Sequence, residues 1–270
     1  MKPLASTHNT SASNNAPNNA SPNTWLNKVP EITLIFWVIK MMSTTVGETA
    51  ADYLSFHLHV GMINTSIIMG VLLVGMLLLQ LKQTHYRPNA YWSVVVLISI
   101  FGTLVTDILT DKLHVPLPLS TAVFSVLLAI TFAYWFVKER TLSIHSIVSL
   151  KRELFYWLAI LITFALGTAV GDWVSEDMNV GYGLSAVVFG GLITAISVAF
   201  YRFKANAVLC FWLAYILTRP LGASIGDLLS QPTRKGGLGF GTTSTSIVFL
   251  VIIFALVTYL SLKAKPQKTY

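Results

Sequence analysis

The sequence predicts an all-α membrane protein of eight transmembrane helices, built as four tandem two-helix repeats with pseudo-symmetry about the membrane normal. Three observations carry that expectation: the composition, the recurrence of apolar runs of spanning length, and a register of Trp, Gly and Asp that returns four times. Of the 270 residues, 54% are hydrophobic and 11% are charged, with a mean hydropathy of +0.67. Soluble domains carry about a quarter charged residues, so composition places this chain in a bilayer.

Crossing a hydrocarbon core of roughly 30 Å takes about 20 helical residues. Apolar stretches of that length fall near 32–54, 61–81, 91–110, 117–137, 154–175, 183–201, 207–230 and 243–262. They divide into a first half over 29–138 and a second over 154–263, joined by a linker over 139–153 and followed by a short tail over 264–270. Residues 1–28 are mostly Asn, Ser, Thr, Ala and Pro with no apolar run, a composition that cannot offset the entropy of ordering and reads as a disordered tail. A charged start, a short apolar core and a cleavage site do not occur there, so the first span is expected to do its own targeting. Cys210 is the only cysteine, which excludes an internal disulfide and a cysteine-based metal cluster. No cofactor is expected.

The net charge of +7 encodes topology. With alternate joints assigned to opposite sides, thirteen basic residues fall on the side of the termini, and Lys112, Arg234 and Lys235 fall on the other. The positive-inside bias makes both termini cytoplasmic. The acidic partner implied is the headgroup surface of the lipid bilayer rather than nucleic acid.

Aligned on an aromatic-Trp pair, the copies begin Phe36-Trp37, Tyr91-Trp92, Tyr156-Trp157 and Phe211-Trp212. Ten residues after each Trp stands a glycine (Gly47, Gly102, Gly167, Gly222), and five further on an aspartate (Asp52, Asp107, Asp172, Asp227). Thirteen residues beyond the aspartate a hydroxyl heads the second helix, at Thr65, Ser120 and Ser185. In the fourth copy a turn rich in glycine (Gly236, Gly237, Gly239, Gly241) adds about four residues and makes Ser244 the equivalent. The tryptophans are 55, 65 and 55 residues apart, so the chain is a duplicated pair of pairs. Because each unit crosses twice, all four share one orientation, and their symmetry axis runs along the membrane normal.

On this aromatic-Trp, Gly and Asp pattern, residues 30–263 resemble a family of bacterial membrane-anchored proteins defined by four tandem two-helix repeats of unknown function. The resemblance implies a bacterial inner (plasma) membrane protein. Some members are linked to manganese homeostasis and export, which implies a divalent manganese substrate here.

An ionisable side chain at a helix centre costs about 2.5 to 3.5 kcal/mol on insertion scales, so each one needs a reason. Seven stand in or near the spans: Lys40, Glu48, Asp52, Asp107, Asp172, Arg219 and Asp227. With five acids against two bases, the set either takes up protons or recruits a cation. A ring of four aspartates at one depth is a cation mouth; the alternative is that each aspartate ends its helix and caps the next. Asymmetric residues say more. Glu48 matches Thr103, Thr168 and Ala223; Lys40 matches Val95, Ile160 and Tyr215; Arg219 matches Thr44, Ser99 and Phe164.

Lys40, Thr44, Glu48 and Asp52 lie along one stripe of the first helix, expected to face the interior. Glu48 is read as a ligand or proton carrier, or as half of a buried ion pair with Arg219. Arg219 before Pro220 reads as a helix break or a kink. Lys40 either joins the pathway or snorkels to headgroups. His57 and His59, with Asn64, Asp52 and Glu48, form a candidate divalent-metal set, against the reading that loop histidines carry no ligand. Gly47 with Ala51, Gly167 with Gly171 and Gly222 with Gly226 suit close helix contact.

The leading expectation is a secondary exporter of a small cation; the alternative is a non-transporting scaffold or partner-binding subunit. No paired-histidine motif, nucleophile elbow or ATP-binding loop is present, so an enzyme is not expected.

Overall fold

The computed structural model describes residues 27–263, and these contain eight long helices and no strand. They are α1 (Leu34–Asp52), α2 (Met62–Leu81), α3 (Pro88–Asp107), α4 (Leu117–Glu139), α5 (Leu150–Asp172), α6 (Tyr182–Phe203), α7 (Ala207–Ser230) and α8 (Thr242–Lys263). Seven of them, α2 to α8, are long and apolar enough to cross a membrane. The exception is α1, which carries Lys40, Glu48 and Asp52 in 19 residues.

Local chemistry sets the helix starts on the basic face. Thr33 accepts from Phe36 N at 3.3 Å, Ser149 from Arg152 N at 3.3 Å, and Asn206 from Val208 N and Leu209 N at 3.0 and 3.1 Å. Each occupies free N–H groups of a first turn. Pro88 opens α3, where its missing N–H costs nothing. On the opposite face α1, α3 and α5 do not stop at their aspartates. Each widens into a π-helical turn, over Tyr53–His57, Ile108–Lys112 and Trp173–Asp177. The chain then reverses through a left-handed residue, His59, His114 or Asn179, at φ of 53°, 54° and 54°, a conformation that His and Asn tolerate better than most side chains.

The helices α1, α3, α5 and α7 pack in a closed ring, each against the next and α7 back against α1. The second helix of each copy does not cover its own first helix. Instead α2 packs on α3, α4 on α5, α6 on α7, and α8 on α1. Every copy thus completes its neighbour, as in repeat architectures whose single units cannot bury their own faces.

The repeated glycine makes that ring tight. A Cβ on Gly47 would run into Ser99, on Gly102 into Phe164, on Gly167 into Arg219 and on Gly222 into Thr44. Each glycine therefore receives the same position of the following copy, the close approach expected of small residues between membrane helices.

Trp92, Trp157 and Trp212 are buried between copies. Two expectations are corrected. The hydroxyl of the fourth copy is Thr245, which stands four residues after Gly241 as Thr65 does after Gly61, whereas Ser244 is exposed. Lys28 belongs to the folded body, its Nζ 2.7 Å from Glu153 and its N–H donating to Ile147 O. Residues 1–26 and the tail over 264–270 lie outside the described residues.

Candidate functional site

The ring's central axis is built in five layers, because positions four apart on each inner helix return to the same face. Nearest the basic end are Phe36, Tyr91, Tyr156 and Phe211, all buried. Each ring packs on the tryptophan of the following copy, with centroids 5.6 Å apart for Phe36 and Trp92, 5.3 Å for Tyr91 and Trp157, 6.2 Å for Tyr156 and Trp212, and 5.8 Å for Phe211 and Trp37. The Tyr91 and Tyr156 hydroxyls meet at 2.5 Å. This layer is an aromatic floor.

The second layer is Lys40, Val95, Ile160 and Tyr215, and the third is Thr44, Ser99, Phe164 and Arg219; all eight are buried. Lys40 is buried rather than snorkelling and meets no carboxylate among the described residues. Its Nζ lies 4.1 Å from the Phe164 ring centroid and 4.3 Å from that of Tyr215, where the ring faces attract a cation in place of solvent.

Arg219 is the hub of the axis. It stands in the third layer and reaches the fourth, which comprises Glu48, Thr103, Thr168 and Ala223. Its Nη2 donates to Glu48 Oε2 at 3.0 Å, to Thr168 Oγ1 at 2.7 Å and to Thr103 Oγ1, while Nη1 donates to Thr44 O at 3.0 Å. One side chain of the fourth copy thus binds the matching positions of the other three. Pro220 does not break α7, which runs continuously from Ala207 to Ser230.

The fifth layer holds the four aspartates. The oxygens of Asp172 and Asp227 lie with one of Glu48 within 4.8 Å of one another. Asp52 and Asp107 are in the same layer but outside that group, and Asp52 accepts from Gln231 Nε2 at 3.5 Å. Asp52, Asp107 and Asp172 are half-buried, whereas Asp227 and Glu48 are buried. None of the three aspartates that precede π-turns makes a side-chain cap, and the hydroxyls of Thr65, Ser120 and Ser185 have no partner among the described residues. Helix capping therefore does not account for the repeated aspartate.

Sequence reading missed a second hydroxyl series. Three residues after each aspartate stands Ser55, Thr110, Ser175 or Ser230, and the hydroxyls of Ser55, Thr110 and Ser230 are buried without a partner among the described residues. The signal was present as Asp-x-x-Ser/Thr in all four copies.

The metal set proposed from the first copy is not gathered. His57 and His59 are exposed, Asn64 is exposed and donates to Val60 O at 3.2 Å, and the acids that meet Glu48 come from the third and fourth copies instead of Asp52. His57 Nδ1 is 3.5 Å from Thr242 Oγ1. His59 is placed by backbone conformation, at the position Asn179 fills in copy three.

The resulting site is an all-oxygen group of three carboxylates beside one guanidinium, closed on the basic side by Arg219 and the aromatic floor. Such donors suit hard divalent cations. No curated protein and no solved structure matches the chain. A family profile matches it four times, over residues 35–86, 90–141, 155–206 and 210–265. The chain belongs to the family described as Repeat of Unknown Function (DUF347).

Proposed function

We propose that this protein spans the bilayer eight times, with both termini in the cytoplasm of a bacterial inner membrane, and exports a small cation, divalent manganese before others. The observation that carries this reading is the meeting of Glu48, Asp172 and Asp227 on the ring axis. Three acids of three copies converge where a charge is expensive, and a scaffold has no need of them.

The burial pattern supports an access route. The aspartate layer is partly exposed while every layer on its basic side is buried, so a cation reaches the acids from the outer face in this state. Arg219 holds Glu48, and an arriving cation competes with it for that carboxylate. Export requires a second state in which Arg219 releases Glu48 and the aromatic floor parts, populated by differential binding of the cation. Protons taken up by the same carboxylates as the cation leaves give the coupling. No catalytic role is assigned to any residue.

The test is growth of a strain lacking its metal exporters, challenged with Mn, Co, Ni, Zn and Mg in turn, with cellular metal measured. Wild type restores growth in Mn and lowers cellular Mn, and Asp172→Asn and Asp227→Asn each abolish both while still inserting. Export unchanged in both variants sinks the proposal.

The Glu48 to Arg219 pair favours a second reading, a scaffold whose charges lock helix packing. Under it, the double variant Glu48→Gln with Arg219→Met keeps full function; under export it does not.

A further inference from the structure

The fourfold plan is interrupted on the basic face between copies two and three. Copies two and three are separated by ten more residues than the other neighbours, as the 65-residue Trp spacing shows. The extra segment does not trail into solvent. Ile144 and Ile147 are buried, and Leu142 O accepts from Trp212 Nε1 at 3.0 Å, which carries the linker from α4 across the end of α7.

Above that crossing lies a groove of about 600 Å³ between α4 and α7. Its walls are Leu128, Phe132 and Phe136 on α4 and Leu209, Leu213 and Ile216 on α7. The lining on α4 runs from Ser125 to Phe136, about 16 Å at 1.5 Å per residue. That is the depth of one leaflet of a core roughly 30 Å thick. The groove is apolar along that length and polar at one end, where Arg140, Thr141 and Asn206 line it.

Arg140 is exposed, holds the left-handed cap of α4 at φ 56°, and makes no ion pair among the described residues. Lys138 stands two residues from Arg140, and Lys204 two residues from Asn206. The groove thus ends in a basic mouth on the face that the charge bias makes cytoplasmic. We infer that the α4–α7 groove is a binding site for one anionic phospholipid of that leaflet, its acyl chain along the apolar wall and its phosphate on Arg140. Basic pockets between membrane helices on this side recognise such headgroups, and an unpaired arginine offers a planar fork to phosphate oxygens.

The experiment is native mass spectrometry of the full chain released from nanodiscs containing equal phosphatidylglycerol and phosphatidylcholine. Wild type retains phosphatidylglycerol in preference. Arg140→Gln lowers the ratio of retained phosphatidylglycerol to phosphatidylcholine about fivefold, the weight of one basic residue at a membrane surface. Arg140→Lys keeps most of the preference, and Arg87→Gln, in the exposed joint before α3, leaves it unchanged. Ala129→Trp fills the groove and lowers retention of both lipids. Equal retention of the two lipids by wild type, or the same ratio for Arg140→Gln and Arg87→Gln, overturns the inference. So does full retention by Ala129→Trp.

Discussion

The two ends of the central axis are made by the same four helices and have opposite chemistry. At the basic end the four copies agree on an aromatic ring, and at the opposite end they agree on an aspartate. Between these ends the copies disagree, and there Lys40, Phe164, Arg219 and Glu48 meet. Agreement among copies marks what the ring requires at its ends. Disagreement marks where one asymmetric centre has been built inside a symmetric frame.

The sharpest way to break the comparison is to remove the hub. Arg219→Met leaves Glu48 buried without its ion-pair partner and is expected to cost about 3 to 5 kcal/mol, read as thermal unfolding in detergent. Adding Glu48→Gln recovers most of that loss, since no uncompensated charge remains. Loss of the same size in the double variant would mean that the threonine contacts of Arg219, rather than its charge, hold the centre.

The frame is tested at its glycines. Gly222→Val drives a side chain into Thr44 and is expected to cost about 1 to 3 kcal/mol. Gly75, with nothing within 4 Å of an added Cβ, accepts alanine with no loss and a gain of up to about 1 kcal/mol. Equal responses at the two sites would remove close packing as the reason for the repeated glycine.

Lys40→Met exchanges a cation over two rings for an apolar side chain of similar length. The lost attraction of about 2 kcal/mol is offset by relief of burying the ammonium, leaving a net change under about 1.5 kcal/mol. A larger loss by the same unfolding measurement would mean that the Lys40 charge is essential to the axis. The smallest effect belongs to the outer turns. His59→Asn is expected to change stability by less than about 0.5 kcal/mol, because Asn179 holds the same backbone conformation in copy three. Loss of cation export in that variant would return the histidine to the site.

Much of this was legible in the sequence, since spacing alone survives without coordinates. The register of Trp37, Gly47 and Asp52 and their equivalents gave the copies, their boundaries and the small-residue contacts. Pairing Glu48 with Arg219 was foreseen as one of two readings. What the pattern did not carry is which copy covers which. Periodicity reports the buried face of a helix and is silent on the helix that buries it, so the exchange of second helices between copies was hidden. For the same reason Glu48 was grouped with its chain neighbours Asp52, His57 and His59, whereas the ring brings it Asp172 and Asp227. In the fourth copy, counting across a glycine-rich turn of unknown geometry put Ser244 one residue from the true equivalent, Thr245.

The central claim is that the acidic half of the axis holds a cation on acids contributed by separate copies. Titration of the purified protein in nanodiscs with Mn²⁺, followed by electron paramagnetic resonance of the free ion, tests it directly. Wild type is expected to bind one ion per chain, and Asp172→Asn and Asp227→Asn to bind at least tenfold more weakly, as removal of one metal-site partner commonly costs. Binding of wild-type strength in both variants, or no binding by wild type, would contradict the account.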